Sequence, residues 1–219
     1  MESKDLCLVF DTETSGLFPR NPKSDISTYP YITQLSYILY DTKNNTIVKQ
    51  YNSYIQQTVE HDYDNEAFKI TKITKEMCAG GVPITAALSE LYKNYIVAGT
   101  VIAHNLKFDK KMIQLEILRN YHLLKASNDD CVHVMFNDTF NEMFGINTYC
   151  TMMAGKDILN VWIKDKRGQS WKKSPKLAEL YVKLFEEEPE NLHDSLIDTK
   201  VCLMCYVKMK FDKMATVEI

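Results

Sequence analysis

The feature that most constrains this chain is a continuous apolar run, Leu6-Cys7-Leu8-Val9-Phe10, that ends on two carboxylates one residue apart, Asp11 and Glu13. A run that is apolar at every position suits a strand buried on both faces. Such a strand requires a covering layer on each side of its sheet. On extended backbone, residues i and i+2 share a face, so Asp11 and Glu13 stand together where the strand leaves the core. Paired carboxylates repel, and in a dry site one of them stays protonated. A divalent cation such as Mg2+, which prefers oxygen ligands, removes the conflict. The following Thr14-Ser15-Gly16 is turn chemistry that lets backbone approach a ligand. A solvated strand end is the plainer alternative. A calcium loop fits Asp11, Glu13, Ser15 and Gly16, but Pro22 occupies the twelfth position, where a bidentate Glu is needed.

Two further stretches repeat the pattern of an apolar element next to a carboxylate. Thr100-Val101-Ile102-Ala103 reads as a short buried strand, punctuated by His104-Asn105. The apolar spacing of Phe108, Met112 and Leu115 predicts a helix from Leu106 to about Leu124. Asp109 falls in its first turn, where the helix dipole favours a carboxylate and where a side chain can reach ligands at the strand ends. The last helix opens at His193-Asp194, with Ile197, Val201, Met204 and Cys205 as its apolar face. Asp194 suits an N-cap. Asp198, one turn further in beside apolar neighbours, is costly unless compensated, and a metal would compensate it. His193 titrates near neutral pH without special tuning, as a general base for water requires. A surface histidine before a helix is the alternative reading.

These three stretches carry a resemblance. The chain resembles the DEDDh family of 3′–5′ exonucleases, related to the proofreading subunit of bacterial DNA polymerase III and to TREX-type and RNase T-type enzymes. Asp11 to Gly16 matches its Asp-x-Glu-Thr-(Thr/Ser)-Gly motif, His104 to Asp109 its His-Asn-x-x-Phe-Asp motif, and His193 to Asp198 its third. The segments Pro30–Leu35, Lys69–Thr74 and Pro175–Tyr181 are similar to family elements between the motifs. The resemblance implies that Asp11, Glu13, Asp109 and Asp198 hold two Mg2+ or Mn2+ ions and that His193 is the general base. It also implies that Thr14, Leu17, His104, Asn105 and Phe108 contact the terminal nucleotide. Paired ions about 4 Å apart stabilise both the attacking and leaving oxygens of an in-line displacement. The implied products are nucleoside 5′-monophosphates. The implied partner is nucleic acid with a free 3′ end, DNA and single strands favoured, with a polymerase or other replication or repair protein as a further partner. An RNA 3′ exonuclease and a catalytically silent binding module remain alternatives.

The implied fold is α/β and ribonuclease H-like, a mixed five-stranded sheet with helices on both faces. The residues read the same way. Leu6–Phe10, Tyr31–Tyr40 and Ile47–Ile55 form an antiparallel meander, with Asp41–Asn45 as the turn between the latter two. Helix Ile84–Tyr95, strand Thr100–Ala103 and the helix after it then favour a parallel addition. The whole of 1–219 is expected to be a single exonuclease domain. Residues 125–148, including Asn128-Asp129-Asp130 and a helical turn or two within 136–144, read as an inserted ornamental loop. His122 and His133 suggest no metal site.

With 26 basic and 29 acidic residues the net charge is −3, which argues against a protein that coats long nucleic acid. It does not argue against one that grips a few terminal nucleotides, since bound cations reverse the sign of the site. Local basicity survives at Lys107, Lys110 and Lys111. It also survives in a basic hairpin at 160–174, where Lys164, Lys166, Arg167, Lys172 and Lys173 interleave with Trp162 and Trp171. That mixture suits single-stranded nucleic acid, or it is a solvated hairpin whose indoles pack on the domain. Glu186–Glu190 is an acidic turn. The six cysteines are scattered and read as reduced thiols. No apolar signal stretch or membrane-length run is present, so the expected location is intracellular, cytoplasmic or within a host cell if viral. The wealth of Lys, Asn, Ile and Tyr suits an AT-rich genome, of a bacterium or a large DNA virus.

Overall fold

The computed structural model describes residues 5–21, 25–127 and 129–217; Pro22 and Asn128, singled out above, lie outside them. A five-stranded sheet has the order β3-β2-β1-β4-β5, with β1 (Leu6–Thr14) at its centre. β2 (Ile32–Asp41) and β3 (Thr46–Tyr54) complete the antiparallel meander, while β4 (Thr100–Ala103) and β5 (Asn147–Cys150) run parallel to β1. Leu6–Phe10 is buried at every position, as a central strand covered on both sides must be. The strand does not stop at Phe10: it continues through the carboxylates to Thr14, pairing Asp11 with Ser36 and Glu13 with Gln34. Edge strand β3 is mostly exposed and carries Lys49, a charge that suits an unpaired edge.

The alternation of β1 divides the core in two. Leu6, Leu8 and Phe10 face one layer, built on α3 (Ile84–Tyr95) and α4 (Leu106–Arg119). Cys7 and Val9 face the other, built on α8 (Leu177–Phe185) and α9 (Ser195–Phe211). Two short helices, α1 (Glu66–Thr71) and α2 (Lys75–Ala79), pack Phe68, Ile73 and Cys78 into a satellite cluster. Helix α9 is buried continuously from Val201 to Val207, wider than the single apolar stripe its spacing suggested. Asp194 caps it as expected, accepting from the Leu196 and Ile197 amides.

Two expectations require correction. The helix foreseen from Leu106 to Leu124 ends at Arg119, and α5 (Tyr121–Ala126) begins after a break. The Asn120 side chain donates to the Glu116 carbonyl at 2.9 Å, a local bond that competes with helix propagation. Residues 125–148 are not an ornamental loop. They deliver Val132, Met135, Phe136 and Ile146 to the core, form α6 (Asp138–Phe144), and begin strand β5. The phenol of Tyr95 knits the segment in, donating to Asn141 and accepting from the Phe136 amide. After β5 come α7 (Thr151–Leu159) and a separate two-stranded ribbon, β6 (Trp162–Lys164) and β7 (Ser170–Lys172), where the basic hairpin was expected. Among the described residues no disulfide forms, and no helix is long and apolar enough to cross a membrane.

Candidate active site

The carboxylates meet at the end of β1. Asp11 and Glu13 project on the α9 side, with Cys7 and Val9. Asp198 comes from the first turn of α9, so that one oxygen from each of Asp11, Glu13 and Asp198 lies within 4.8 Å of the others. Asp109 arrives from the opposite layer, on the first turn of α4. It is fully buried and accepts from both the Thr12 amide at 3.2 Å and the Thr12 hydroxyl at 2.8 Å. Thr12 points to the α4 side because it alternates with Asp11 and Glu13. Ser195 fastens α9 to the strand by donating to the Asp11 carbonyl at 2.7 Å. Gln34, on β2, bridges Asn52 and the Asp194 cap.

Among the described residues no Lys or Arg pairs with any of the four. Burial, then the charges of Asp109, Asp198 and Glu13, drive the Asp11 carboxyl well above its ordinary value. Burial and the neighbouring Asp198 and Asp109 raise Glu13 to about 8. Burial raises Asp109 to about 7 against the opposing pull of its Thr12 hydrogen bonds. Asp198 is likewise raised by burial to about 7. Oxygen-only donors that are buried or half-buried, mutually repelling and unmatched by any cation form a set that fits a hard divalent ion.

His193 stands beside this cluster, exposed, with φ of 73° and its backbone N–H 3.4 Å from the Asp198 carboxylate. A left-handed backbone at a non-glycine residue is uncommon, although it also recurs here at helix C-caps such as Lys72 and Asn160. The two nitrogens of His104 are both engaged: Nε2 reaches the Pro175 carbonyl at 3.1 Å and Nδ1 the Thr151 hydroxyl at 2.9 Å. A carbonyl only accepts, so Nε2 carries the proton and Nδ1 accepts. Burial lowers the ring to about 4, which keeps it neutral. The Thr14 hydroxyl closes the turn by donating to the Gly16 carbonyl, and Leu17 beyond it is 86% exposed. Asn105 adopts the left-handed region at the start of α4. Phe108 packs on Phe18 with centroids 4.7 Å apart, in an open cleft of about 690 Å³ that Tyr29, Lys107 and Lys111 also line.

Spacing did not point to Thr12, Gln34, Ser195 or Arg119. Arg119 is the least visible of these, since it reads as one more polar residue near a helix end. Its guanidinium donates to the carbonyls of Ile26, Tyr29 and Pro30, pairs with Glu116, and lies 3.8 Å over the Tyr31 ring. It thereby holds the segment that carries Tyr29 against the cleft.

A ribonuclease H-like mixed sheet with an acidic cluster at the end of its central strand defines the class of fold. The chain belongs to the exonuclease family RNase_T, whose model matches residues 8–206. Its structure is similar to E. coli Exonuclease I in complex with a dT13 oligonucleotide, at TM-score 0.64 and 16% identity over 94% of this chain. A 3′-exonuclease recognising a histone mRNA stem-loop matches at TM-score 0.63 and 13% identity, covering 97% of this chain and 84% of the other. Exonuclease I of Methylocaldum szegediense gives TM-score 0.61 and 17% identity over 95% of this chain. The chain spans only 41% of the length of either Exonuclease I. No curated protein sequence gives a significant match.

Proposed function

We propose that the protein is a DEDDh-type, divalent-metal-dependent 3′–5′ exonuclease acting as a single domain. In this reading it removes nucleoside 5′-monophosphates from the 3′ end of nucleic acid, with single-stranded DNA favoured. The observation that carries the reading is the convergence of Asp11, Glu13 and Asp198 within 4.8 Å, half-buried beside the central strand, in a chain of the exonuclease family. Asp11, Glu13 and Asp198 would hold one Mg2+ or Mn2+ ion, and Asp11 and Asp109 a second. Bound ions would lower the pKa of water and stabilise the charge that builds on the phosphate oxygens. His193, exposed beside Asp198, would take the proton from the attacking water. Leu17 and Phe108 offer apolar surfaces for the terminal base, Asn105 and Thr14 polar backbone and side-chain atoms beside it, and the His104 ring an edge fixed by its two hydrogen bonds.

The family supports exonuclease chemistry at a 3′ end, and both kinds of nucleic acid occur among the solved complexes of similar fold. The competing RNA reading draws support from the 3′-exonuclease that recognises an mRNA stem-loop, because the match extends over 84% of its length. A replication or repair partner, including a polymerase, and an intracellular location accord with the proposed substrate. The test is degradation of 3′- and 5′-labelled single-stranded DNA and RNA of the same sequence with Mg2+, Mn2+ or EDTA, beside Asp11→Ala. Metal-dependent loss of the 3′ label as mononucleotide, absent in the variant, is expected. Cleavage that persists in EDTA or in Asp11→Ala would overturn the proposal.

A further inference from the structure

The β6–β7 ribbon belongs to neither core layer. It exposes 60% of Trp162 and 45% of Trp171, together with Val161 and Ile163. Indoles left in water on a two-stranded ribbon are a cost without a folding return, since such a ribbon is marginal alone. Yet the ribbon is braced. Lys172 pairs with Asp157 of α7 and Lys173 with Glu179 of α8. The Lys173 amide donates to the Val161 carbonyl at 2.8 Å. At the tip, Asp165 accepts from the Arg167 and Gln169 amides at 2.8 and 2.9 Å, and Gly168 takes a φ of 82° that an L side chain resists.

Bracing consumes two of the cations and leaves the others. Lys164, Lys166 and Arg167 are exposed and make no ion pair among the described residues. The register opposes Trp162 to Lys172, Ile163 to Trp171 and Lys164 to Ser170. Opposed residues share a face and successive residues alternate. One face therefore carries Trp162, Lys164, Ser170 and Lys172, with the Lys172 ammonium 5.7 Å from the Trp162 ring centroid. The other face carries Ile163 and Trp171 and is apolar.

The ribbon is also joined to the carboxylate site. Three residues beyond β7, buried Pro175 gives its carbonyl to His104, immediately before the helix that bears Asp109. Gly155 of α7 permits this approach: a Cβ there would lie 3.0 Å from the Pro175 ring and 2.9 Å from Leu180. Helix α8 then leads away, and Glu186–Glu188 stand at its far end. The basic rim is thus on the side of the helix where the ribbon departs.

We propose that the Trp162 face of the ribbon is a second nucleic-acid contact, which takes an unpaired base of the substrate strand 5′ of the end being cut. This rests on the exonuclease reading above. A base would stack on the Trp162 indole while Lys164, Lys166 and Arg167 meet the flanking phosphates, the combination that suits single strands. A duplex keeps its base faces stacked and offers the indole nothing.

The chain itself supplies the probe. It contains two tryptophans, both on the ribbon, so emission excited where tyrosine does not absorb reports on the ribbon alone. The full chain in EDTA is titrated with an oligothymidylate of about a dozen nucleotides, within the range one single-strand site covers. Quenching is expected in Trp171→Phe, which keeps Trp162, and not in Trp162→Phe; a blunt duplex of equal length leaves both unchanged. With metal restored, Trp162→Ala is expected to raise KM for that oligonucleotide about tenfold while leaving kcat, and turnover of trithymidylate, unaltered. Quenching confined to Trp171, quenching by the duplex alone, no quenching, or an unchanged KM would each overturn the proposal. Failure of the wild-type protein to cut either trithymidylate or triuridylate would instead sink the exonuclease reading, and the titration would still judge the ribbon.

Discussion

Thr12 holds Asp109 with two hydrogen bonds at once, from its amide at 3.2 Å and its hydroxyl at 2.8 Å, both to the same carboxylate oxygen. The bonds cross from the central strand to a helix of the opposite layer from the one that brings Asp198. The two layers are therefore registered to each other through one strand residue, and the fourth carboxylate is fixed before any ion arrives. Its second oxygen has no hydrogen bond to Thr12 and would be the one to meet an ion in the proposed site.

Removing the Thr12 hydroxyl should therefore act on the site rather than on the fold. Thr12→Val keeps the shape and the amide bond but loses the shorter contact. The expected result is a tenfold or greater loss in metal affinity or activity, the usual cost of an outer partner of a ligand. Titration of activity with Mn2+ checks it. An unaltered titration curve would mean that the amide alone positions Asp109.

The metal-free protein should lose stability as the pH rises. Glu13 is raised to about 8 from 4.5, and Asp109 and Asp198 to about 7 from 3.8. Between those values the folded state holds protons that the unfolded chain has released. Their contribution is complete below the unfolded values and is lost as pH climbs through the folded ones. In EDTA the melting temperature should fall from about pH 5 to about pH 8, and added Mg2+ or Mn2+ should flatten the slope by binding the folded state. A flat EDTA profile would indicate that the carboxylates do not repel.

By the same reasoning Asp198→Asn should abolish cleavage and yet raise the metal-free melting temperature at about pH 8. Removing one charge from a crowded set relieves repulsion. A gain of a kcal/mol corresponds to about 2–4 °C for a chain of this size. Thermal unfolding of both proteins in EDTA measures it, and a lower melting temperature in the variant would show that Asp198 is compensated.

Much of this site was legible because carboxylate spacing on a strand and in the first turn of a helix is a local property. Asp11, Glu13, Asp109 and Asp198 could be read without knowing the topology. The partners could not. Thr12 looks like strand filler until the alternation of β1 is set against two layers, and Arg119 matters only because the segment 26–30 folds back over it. The end of α4 at Arg119 was missed because Asn120 fits helical spacing while its side chain competes for a backbone carbonyl. Residues 125–148 lacked a strong period, so their core contribution through Phe136 and Ile146 emerged only with β5 in place.

His193→Ala should lower the rate by about 10²–10⁴ without changing the dependence of stability on pH, since the carboxylates remain. The decisive reading is turnover under saturating metal with and without added imidazole. Imidazole should restore part of the rate lost in the variant, and a variant that keeps wild-type turnover would assign the proton acceptor elsewhere.

Arg119→Ala should be among the most destabilising single changes. The side chains of Arg119 and Glu116 are 9% and 4% exposed, and losing the guanidinium strands a buried carboxylate and three carbonyls. Breaking a buried pair in this way costs about 3–5 kcal/mol. Arg119→Lys should recover little, because a compact ammonium cannot span the carbonyls of Ile26, Tyr29 and Pro30 as a planar fork does. The double change Glu116→Gln with Arg119→Met should cost less than Arg119→Ala, as no charge is left unpaired. Urea unfolding of the three variants orders them, and a double variant less stable than the single one would show that the ion pair itself, rather than the orphaned charge, governs the loss.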